Sequence, residues 1–384
     1  MANNEIDSLK EFNETSFKRL GLDRQEWLLS GKDMLVNPNY VVNKLSHSYF
    51  GKNNEVVLKR IIKENEYFKT FVLSAVHKEA LPEFHAGQRI AVTFLVDGKY
   101  ITRPFSLCST SSDALDGEYR ILVYNHPDDA LLQMIYEGAK VGDRLTTSSP
   151  FGDFYFNSLR DSNHVIAIVS EAGIAPIYSM VQDIISKEED FNLTVFYTVK
   201  RYSDLLFVDE LNEYDDKSDR FHIIYVLSEE EHDNCLKGYV TCELLQEYMK
   251  DINSFFLAGG EGMLKYLNKE LEKLQLPKKF IRYDEYLPKC NIRKVVEYSL
   301  TIYINDEKYE TKCYNNRTIM DSITESGIFI PSKCHNGSCG YCNSELVLGK
   351  VKVVNDKRNE AMKKNHYIHP CCTYPLSDIE IVVR

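Results

Sequence analysis

The sequence predicts a multidomain protein in which an antiparallel β-barrel, a doubly wound parallel-sheet α/β unit and a small α+β unit follow one another. Three observations predict this order. Short β-branched and aromatic runs dominate from residue 54, strands alternate with helices from about residue 160, and half of the ten cysteines fall at the C-terminal end. A chain of 384 residues is long enough for two or three such domains.

Composition and charge exclude several classes of protein. A net charge of −11 disfavours nucleic acid or an anionic membrane as the main partner, because both attract surfaces rich in Lys and Arg. The start of the sequence lacks the apolar segment of a signal peptide, and no apolar run approaches the roughly 18 residues needed to span a bilayer. We therefore expect a cytoplasmic protein with no nucleic-acid partner and no membrane insertion.

The first two segments differ in composition and in the pattern of their apolar residues. Residues 1–50 are polar with helix-like stretches such as "DSLKEFNETSFKRLGL", which predicts a helical N-terminal extension. Residues 54–157 carry the runs "VVLKRII", "KTFVLSAV", "QRIAVTFLV" and "YRILVYN", separated by Gly, Asp and Pro. Several such strands at short spacing predict an antiparallel barrel or sandwich.

Residues 160–287 alternate between buried strands and helices. The run "HVIAIVS" predicts a strand, "APIYSMVQDIISKEE" predicts a helix, and a further helix is expected to begin at Thr241. This alternation predicts a parallel, doubly wound sheet whose ligands lie at the carboxyl ends of the strands.

After a linker at 287–296, residues 298–384 predict a small mixed unit. The runs "YSLTIYI" and "EKYETKC" flank an Asn-Asp turn, which predicts a hairpin. The stretch "TIMDSITESG" predicts a short helix with Thr318 as its N-cap. A cysteine-rich loop and further strands follow.

The cysteine-rich loop predicts an inorganic cluster. Its C-x4-C-x2-C spacing is the plant-type spacing for a [2Fe–2S] centre, whereas a structural zinc site more often pairs two C-x2-C knuckles. Gly337 and Gly340 supply the flexibility that lets the backbone wrap around the cluster. The fourth thiolate must come from Cys371 or Cys372. The first three ligands would be Cys334, Cys339 and Cys342.

The end of the chain resembles plant-type ferredoxins, whose last ligand lies in a C-x-x-[Tyr/His]-Pro stretch. "CCTYPLSDIEI" matches this stretch with Cys371 in the ligand place, followed by Tyr374 and Pro375. The resemblance covers 298–384 and implies a β-grasp ferredoxin domain in which Cys371 binds the cluster and Cys372 does not.

The β-rich segment resembles ferredoxin–NADP reductase-like flavoproteins. "RPFSL" follows a G-Q element by about one strand, as the R-x-[Tyr/Phe]-S stretch of that family does, and "VGDRLTTSSPFGDF" is similar to a later family stretch. The resemblance implies that Arg103 pairs with a flavin phosphate, Phe105 packs on the isoalloxazine and Ser106 hydrogen-bonds near N5. Leu107 completes the flavin-binding stretch.

One segment departs from the family pattern. Where relatives carry a glycine pair that holds the dinucleotide pyrophosphate, this chain has "YNHPDDALL", which places Asp128 and Asp129 in the glycine positions. Carboxylates beside a pyrophosphate are repulsive. The expected flavin is FAD with its diphosphate held differently, or FMN.

The α/β segment resembles the nicotinamide-binding half of the same family. "VSEAGIAPIYSM" is similar to the turn where backbone lets NAD(P)H phosphates approach a helix N-terminus, although Ser170 and Glu171 replace a glycine pair. Further similar stretches place Lys200 or Arg201 near a 2′-phosphate and one aromatic ring over the flavin. The implied nicotinamide residues are Gly173, Ile174, Pro176, Lys200, Gly259 and Met263, and the ring is Tyr286. With Ser106, Tyr286 would be catalytic.

Taken over residues 54–384, the chain is similar to fusions of a ferredoxin reductase with a ferredoxin, such as oxygenase reductases and hybrid-cluster-protein reductases. The resemblance implies hydride transfer from NAD(P)H to flavin N5, single-electron transfer to the [2Fe–2S] cluster, and delivery to a redox protein acceptor. Two alternatives stay open: an internal electron carrier of a larger complex, and a scaffold subunit with a vestigial flavin fold.

Overall fold

A six-stranded antiparallel sheet forms the first part of the structure. The computed structural model describes residues 53–76, 80–127, 129–250, 252–284 and 294–383; the predicted extension at 1–50 and Tyr286 lie outside these ranges. The strands follow the order β4-β3-β6-β1-β2-β5. They are β1 Asn53–Lys63, β2 Phe68–Ala75, β3 Arg89–Val96, β4 Lys99–Ser106, β5 Glu118–Tyr124 and β6 Arg144–Ser148.

The sheet curls so that its two outer strands approach each other. Beyond the end of β4, a bridge joins Leu107 to Ile121 of β5, and the amide of Cys108 donates to the carbonyl of Arg120 at 2.9 Å. Helix α1, Ala130–Gly138, packs its apolar side into the same core as the strands. The predicted antiparallel β-barrel is therefore present.

A parallel sheet flanked by four helices follows. Its order, β10-β9-β8-β7-β11-β12, reverses between β7 and β11, as the predicted doubly wound topology requires. The helix predicted at Thr241 begins there, with the Thr241 hydroxyl accepting from the Leu244 amide. The strands are β7 His164–Ser170, β8 Asn192–Val199, β9 Phe221–Leu227, β10 Cys235–Lys237, β11 Ser254–Ala258 and β12 Ile281–Tyr283; the helices are α2 Ile174–Ile185, α3 Val208–Lys217, α4 Cys242–Tyr248 and α5 Glu261–Lys273.

The C-terminal part is a mixed sheet in the order β14-β13-β19-β15-β17, with a separate β16-β18 pair. The predicted hairpin is confirmed: β13 and β14 pair antiparallel around Asn305 and Asp306, which both have positive φ as a tight hairpin turn requires. The elements are β13 Glu297–Ile304, β14 Glu307–Tyr314, α6 Ile319–Glu325, β15 Ser344–Leu348, β16 Val351–Val353, α7 Glu360–Lys364, β17 Tyr367–Ile368, β18 Thr373–Pro375 and β19 Ile379–Val383.

Helix α6 packs against the C-terminal sheet and begins as the sequence predicts. Its N-cap is Thr318, whose hydroxyl accepts from the Asp321 amide. The buried side of α6 lies in one apolar core with β13, β19 and several of the cysteines. Across the described ranges, none of the helices combines the length and apolarity needed to cross a bilayer.

Candidate functional site

A cleft opens between the barrel and the parallel sheet. Its empty volume is about 920 Å³ including the open mouth, which is within the usual size of a cofactor site. Strand β4 forms its floor, and the start of helix α2 and the residue after β12 form the opposite wall. The polar and aromatic lining includes Arg89, Arg103, Phe105, Ser106, Tyr124 and Asp284.

Arg103, the predicted phosphate partner, is almost completely buried at this cleft, with 2% of its surface exposed. Its Nη2 lies 2.8 Å from Asp321 Oδ1 and 3.5 Å from Asp129 Oδ1. Burial lowers the pKa of Arg103, but the two carboxylates outweigh burial and raise it above its usual range. The guanidinium is therefore a fixed positive charge between two fixed negative charges.

The cleft fits a flavin in two respects. The buried Nε of Arg103 has no hydrogen-bond partner among the described residues, so a donor remains for an anionic ligand group. Ser106 presents its hydroxyl on the same strand, on the opposite side of the pleat from Arg103. The residues present can thus hold both ends of a flavin, with Arg103 at the phosphate and Ser106 at the ring.

Two other predicted flavin residues are largely structural in position. Phe105 borders the cleft but is 7% exposed, and its ring packs edge-on against Phe94 in the barrel core. Leu107 is fully buried, and its amide donates to the carbonyl of Gln88 at 3.0 Å. The flavin contacts proposed for these two residues stay predictions.

The sequence did not reveal a polar link across the cleft. Asp284 follows β12, is 5% exposed, and forms an ion pair with Arg89 at the start of β3. Its other oxygen accepts from the Ser106 hydroxyl at 3.2 Å. This link orients the Ser106 hydroxyl and connects the barrel to the parallel sheet. Asp284 is the second residue of "YDEY", the stretch in which only Tyr286 was predicted to act at the site.

Asp129 uses the amides that a phosphate could otherwise bind. It caps helix α1, and its Oδ1 accepts from the amides of Leu131 and Leu132 at 3.1 and 3.0 Å. Although burial raises the pKa of Asp129, the charge of Arg103 lowers it overall, so the group stays ionised. The departure from the family pattern is thus a built-in carboxylate at a helix N-terminus.

The predicted nicotinamide glycines meet at the point where the parallel sheet reverses. A Cβ at Gly173 would lie 2.2 Å from the carbonyl oxygen of Ala258, and a Cβ at Gly259 would lie 2.4 Å from Ser170 Oγ and 2.2 Å from Met263 Cε. Strands β7 and β11 end here side by side. Only glycine lets them approach so closely, which fits the crevice that binds dinucleotides in doubly wound sheets.

The other nicotinamide residues are placed less favourably. Ile174 and Pro176 are buried in the first turn of α2. Lys200 is exposed but lies 3.1 Å from Glu229, which also faces Arg201. These three positions stay predictions.

Glu171 stands at the crevice where relatives carry glycine. It has a positive φ of 48°, a backbone conformation that glycine adopts at less cost. Burial, followed by the charge of Asp204, raises its pKa above the usual carboxyl range. An acidic residue at this turn weakens the attraction of the helix N-terminus for phosphate.

The predicted cluster cysteines come together in one loop region. The thiol of Cys334 interacts with those of Cys339 and Cys371, which lower its pKa. The thiol of Cys342 interacts with that of Cys371, which lowers the Cys342 pKa in turn. The Cys371 thiol therefore interacts directly with two of the other three predicted ligands.

Cys372 adjoins this group and interacts with Cys371. It is fully buried, and its sulfur lies 3.5 Å from the carbonyl oxygen of His369. Interaction with Cys371, against the effect of burial, lowers its pKa to about 6. A Cβ at position 337 would lie 2.7 Å from the Cys372 sulfur, so the packing of Cys372 favours glycine at this position.

Backbone amides of the loop donate hydrogen bonds to the cysteine sulfurs. The amide of Cys339 donates to Cys334 Sγ and that of Tyr341 donates to Cys339 Sγ, both at 3.4 Å. Within the part of the chain that the structure describes, no three His, Cys, Asp or Glu side chains surround a single ion position. A [2Fe–2S] cluster shares four thiolates between two irons, so this donor set fits it.

The cluster loop lies next to the flavin cleft. His335, which follows Cys334, is 3% exposed. Burial, followed by the nearby charge of Arg103, lowers its pKa to about 3. One residue of the cysteine loop is thus within electrostatic reach of both the cleft and the first predicted ligand.

Three family models match the chain in the order that the geometry suggests. They are an oxidoreductase FAD-binding domain over 55–156, an oxidoreductase NAD-binding domain over 172–269, and a 2Fe-2S iron-sulfur cluster binding domain over 302–376. The chain belongs to the ferredoxin–NADP reductase-like flavoproteins that carry a C-terminal [2Fe–2S] domain. Its cofactors are FAD and a [2Fe–2S] cluster, and its reductant is NAD(P)H.

Similar proteins include two reductases that match nearly end to end. The glycine betaine monooxygenase reductase subunit of Chromohalobacter salexigens is 21% identical, over 86% of this chain and 95% of that protein. The vanillate O-demethylase oxidoreductase of Acinetobacter baylyi is 22% identical, over 86% and 98%. A Burkholderia flavohemoprotein is 26% identical, but the chain spans only 58% of its length.

A solved structure gives the same arrangement of domains. Phthalate dioxygenase reductase, described as a modular structure for electron transfer from pyridine nucleotides to [2Fe–2S], matches with a TM-score of 0.66 and 19% identity, over 86% of this chain and 97% of that one. At this identity the likeness shows the fold. Together with the family models and the reductase relatives, it supports an NAD(P)H-dependent iron–sulfur flavoprotein oxidoreductase that passes electrons to a redox partner.

Proposed function

We propose that this reductase is the electron-supplying component of an oxygenase system. The observation that carries the proposal is the contact between the flavin cleft and the cluster module. Arg103 lines the cleft, and its guanidinium also bonds Asp321 in that module. The near end-to-end similarity to two oxygenase reductases supports an oxygenase, rather than a hybrid-cluster protein, as the acceptor.

The side chains of the chain supply binding and orientation. Bound FAD would accept a hydride from NAD(P)H and release its two electrons singly. Arg103 would hold a flavin phosphate, and Ser106, aimed by Asp284, would hydrogen-bond at the ring near N5. Gly173 and Gly259 would let the nicotinamide half of NAD(P)H enter the crevice beside the flavin.

Because Asp129 caps helix α1, the flavin diphosphate would not use the amides of Leu131 and Leu132 unless Asp129 moves. Mass analysis of the flavin released from purified protein checks the identity of this cofactor. FAD is expected from the matching family model.

Electron transfer to isolated acceptors tests the proposed partner. With NADH or NADPH as reductant, the chain should reduce the oxygenase component of a glycine betaine monooxygenase or a vanillate O-demethylase. A hybrid-cluster protein should be reduced slowly or not at all. The reverse preference would contradict an oxygenase acceptor.

The alternative of an internal electron carrier, reduced by a partner protein, is not supported, because an oxidoreductase NAD-binding domain matches residues 172–269. Glu171, an acidic residue with positive φ at the turn that would face NAD(P)H phosphate, should weaken NAD(P)H binding without preventing it. Anaerobic titration tests this: reduction of the flavin by dithionite but by neither NADH nor NADPH would contradict the assignment.

A further inference from the structure

The barrel and the C-terminal module contact each other through a partly buried ion pair. Arg103 on β4 and Asp321 on α6 are 218 positions apart in sequence, yet their side chains meet at 2.8 Å. The Arg103 side chain is 2% exposed and that of Asp321 is 26% exposed. Without the Asp321 carboxylate, the buried guanidinium would keep only Asp129 of the barrel as its ion-pair partner, and its contact with the C-terminal module would be lost.

Two further contacts lie beside this pair. Tyr100 on β4 and Phe329 after α6 pack edge to face, with ring centroids 5.8 Å apart. Lys333, next to the first predicted ligand, places its ammonium 4.5 Å from the ring centroid of Phe151. Both pairs join the barrel to the stretch between α6 and the cysteine loop, so the contact extends toward the cluster.

The carboxylate of Asp321 is held in place by hydrogen bonds at the start of α6. Its second oxygen accepts from the Thr318 hydroxyl at 2.7 Å, and its amide donates back to the same hydroxyl at 3.0 Å. The N-cap of α6 thus fixes the carboxylate that faces Arg103. The same guanidinium lines the flavin cleft, so one residue relates the cleft to the module that carries the cysteines.

We propose that Asp321 is a positioning residue that holds the cluster module against the flavin domain, and so sets the rate of electron transfer from flavin to cluster. The proposal rests on the electron route given under the proposed function. Contacts between domains of one chain are usually small and permit relative motion. The ion pair between Arg103 and Asp321 would limit such motion between the barrel and the C-terminal module. The side chain of Asp321 binds Arg103 and Thr318, and its proposed effect runs through Arg103.

Substitution of Asp321 separates this step from the one before it. The full-length holoprotein is mixed anaerobically with NADH, flavin bleaching reports the hydride step, and the spectrum of the reduced cluster reports the next step. Asp321→Asn should leave bleaching unchanged and slow cluster reduction by about tenfold or more, because a misplacement of about 1 Å can cost on the order of 100-fold. Asp321→Glu, which restores the charge, should recover part of the rate.

A control on the same helix isolates the ion pair. Glu325→Gln removes a carboxylate that pairs with Arg317 inside the module. It should leave cluster reduction close to that of the parent protein at equal iron content. If Glu325→Gln slows the step as much as Asp321→Asn does, the effect belongs to any loss of charge on α6 and the proposal is overturned.

Hydrogen–deuterium exchange gives a readout that needs no turnover. Asp321→Asn should speed exchange in peptides covering 97–102 and 326–333, and Glu325→Gln should not. Unchanged exchange together with an unchanged rate of cluster reduction would overturn the proposal. If the parent protein fails to reduce its cluster at all, the proposed function fails separately, and exchange still decides whether Asp321 holds the module.

Discussion

At the scale of single residues, the chain places carboxylates where the family pattern that it resembles has glycine. Asp129 takes the amides of α1 and Glu171 occupies the turn before α2, and each lies where a phosphate would approach. The sequence showed both substitutions. It could not show that Arg103 is shared between Asp129 and Asp321, because that contact joins distant parts of the chain.

The identity of the fourth cluster ligand is a residue-scale prediction. Cys371→Ser should lose the cluster, because the Cys371 thiol interacts with those of Cys334 and Cys342. Cys372→Ser should keep it. Iron and acid-labile sulfide, measured per chain in each variant, check this directly. Retention in the first variant and loss in the second would move the ligand by one position.

The phosphate role of Arg103 predicts a loss of flavin. Removing a hydrogen bond to a charged group costs about 1.5–3 kcal/mol, so Arg103→Ala should weaken flavin binding by roughly ten- to a hundredfold. Arg120→Ala is the matched control, since Arg120 pairs with Asp113 and Glu118 and is not part of the cleft lining. Equal flavin-to-protein ratios in the two variants would argue against the phosphate contact.

A buried carboxyl group predicts a pH dependence of stability. Asp183 on α2 is 1% exposed and accepts from the Ser111 amide at 3.0 Å, and burial raises its pKa from 3.8 to about 6. Since the folded pKa is the higher one, its stabilising contribution is complete below about pH 4 and is lost as the pH rises through about 6.

Asp183→Asn should remove that pH dependence. The variant should be more stable than the parent protein near about pH 8, by up to about 3 kcal/mol, because one pKa unit corresponds to about 1.4 kcal/mol. Thermal unfolding of both proteins across this pH range measures the difference. A parent protein that gains stability relative to the variant as the pH rises would contradict the assignment.

At the scale of elements, the sequence predicted features that depend on adjacent residues better than features that depend on strand pairing. The caps at Thr241 and Thr318 and the turn at Asn305 and Asp306 depend on a few adjacent residues, so the sequence showed them. Strand order and the bridge at Leu107 that closes the barrel depend on pairing between distant segments. Alternation of strands and helices predicted a parallel sheet, but the contact between β7 and β11 came from the structure.

The crevice at the end of these two strands gives an element-scale prediction. Gly173→Ala would force a Cβ within 2.2 Å of the Ala258 carbonyl oxygen, so strand and helix must separate. We expect a destabilisation of about 1–3 kcal/mol and a higher KM for NAD(P)H. Gly260→Ala is the control, because its Cβ would meet no heavy atom within 4 Å. Equal KM values in both variants would contradict the crevice assignment.

At the scale of the whole molecule, the cysteine spacing and the flavoprotein-like stretches predicted the three architectures and the three cofactor roles in order. The contact between the flavin cleft and the cluster module could not be predicted, since no motif shows which distant residues Arg103 and His335 approach in the folded chain. Arg103, Asp321 and His335 meet only in the folded chain. That meeting brings the flavin cleft and the cluster module together, as a continuous electron route requires.

The most direct test of this route is anaerobic mixing of the purified holoprotein with NADH or NADPH, followed by optical and electron paramagnetic resonance spectra. The account predicts that flavin absorbance bleaches first and that the signal of a reduced [2Fe–2S] cluster then grows in the same molecules. A flavin that bleaches while the cluster stays oxidised, or protein without iron and acid-labile sulfide, would contradict it.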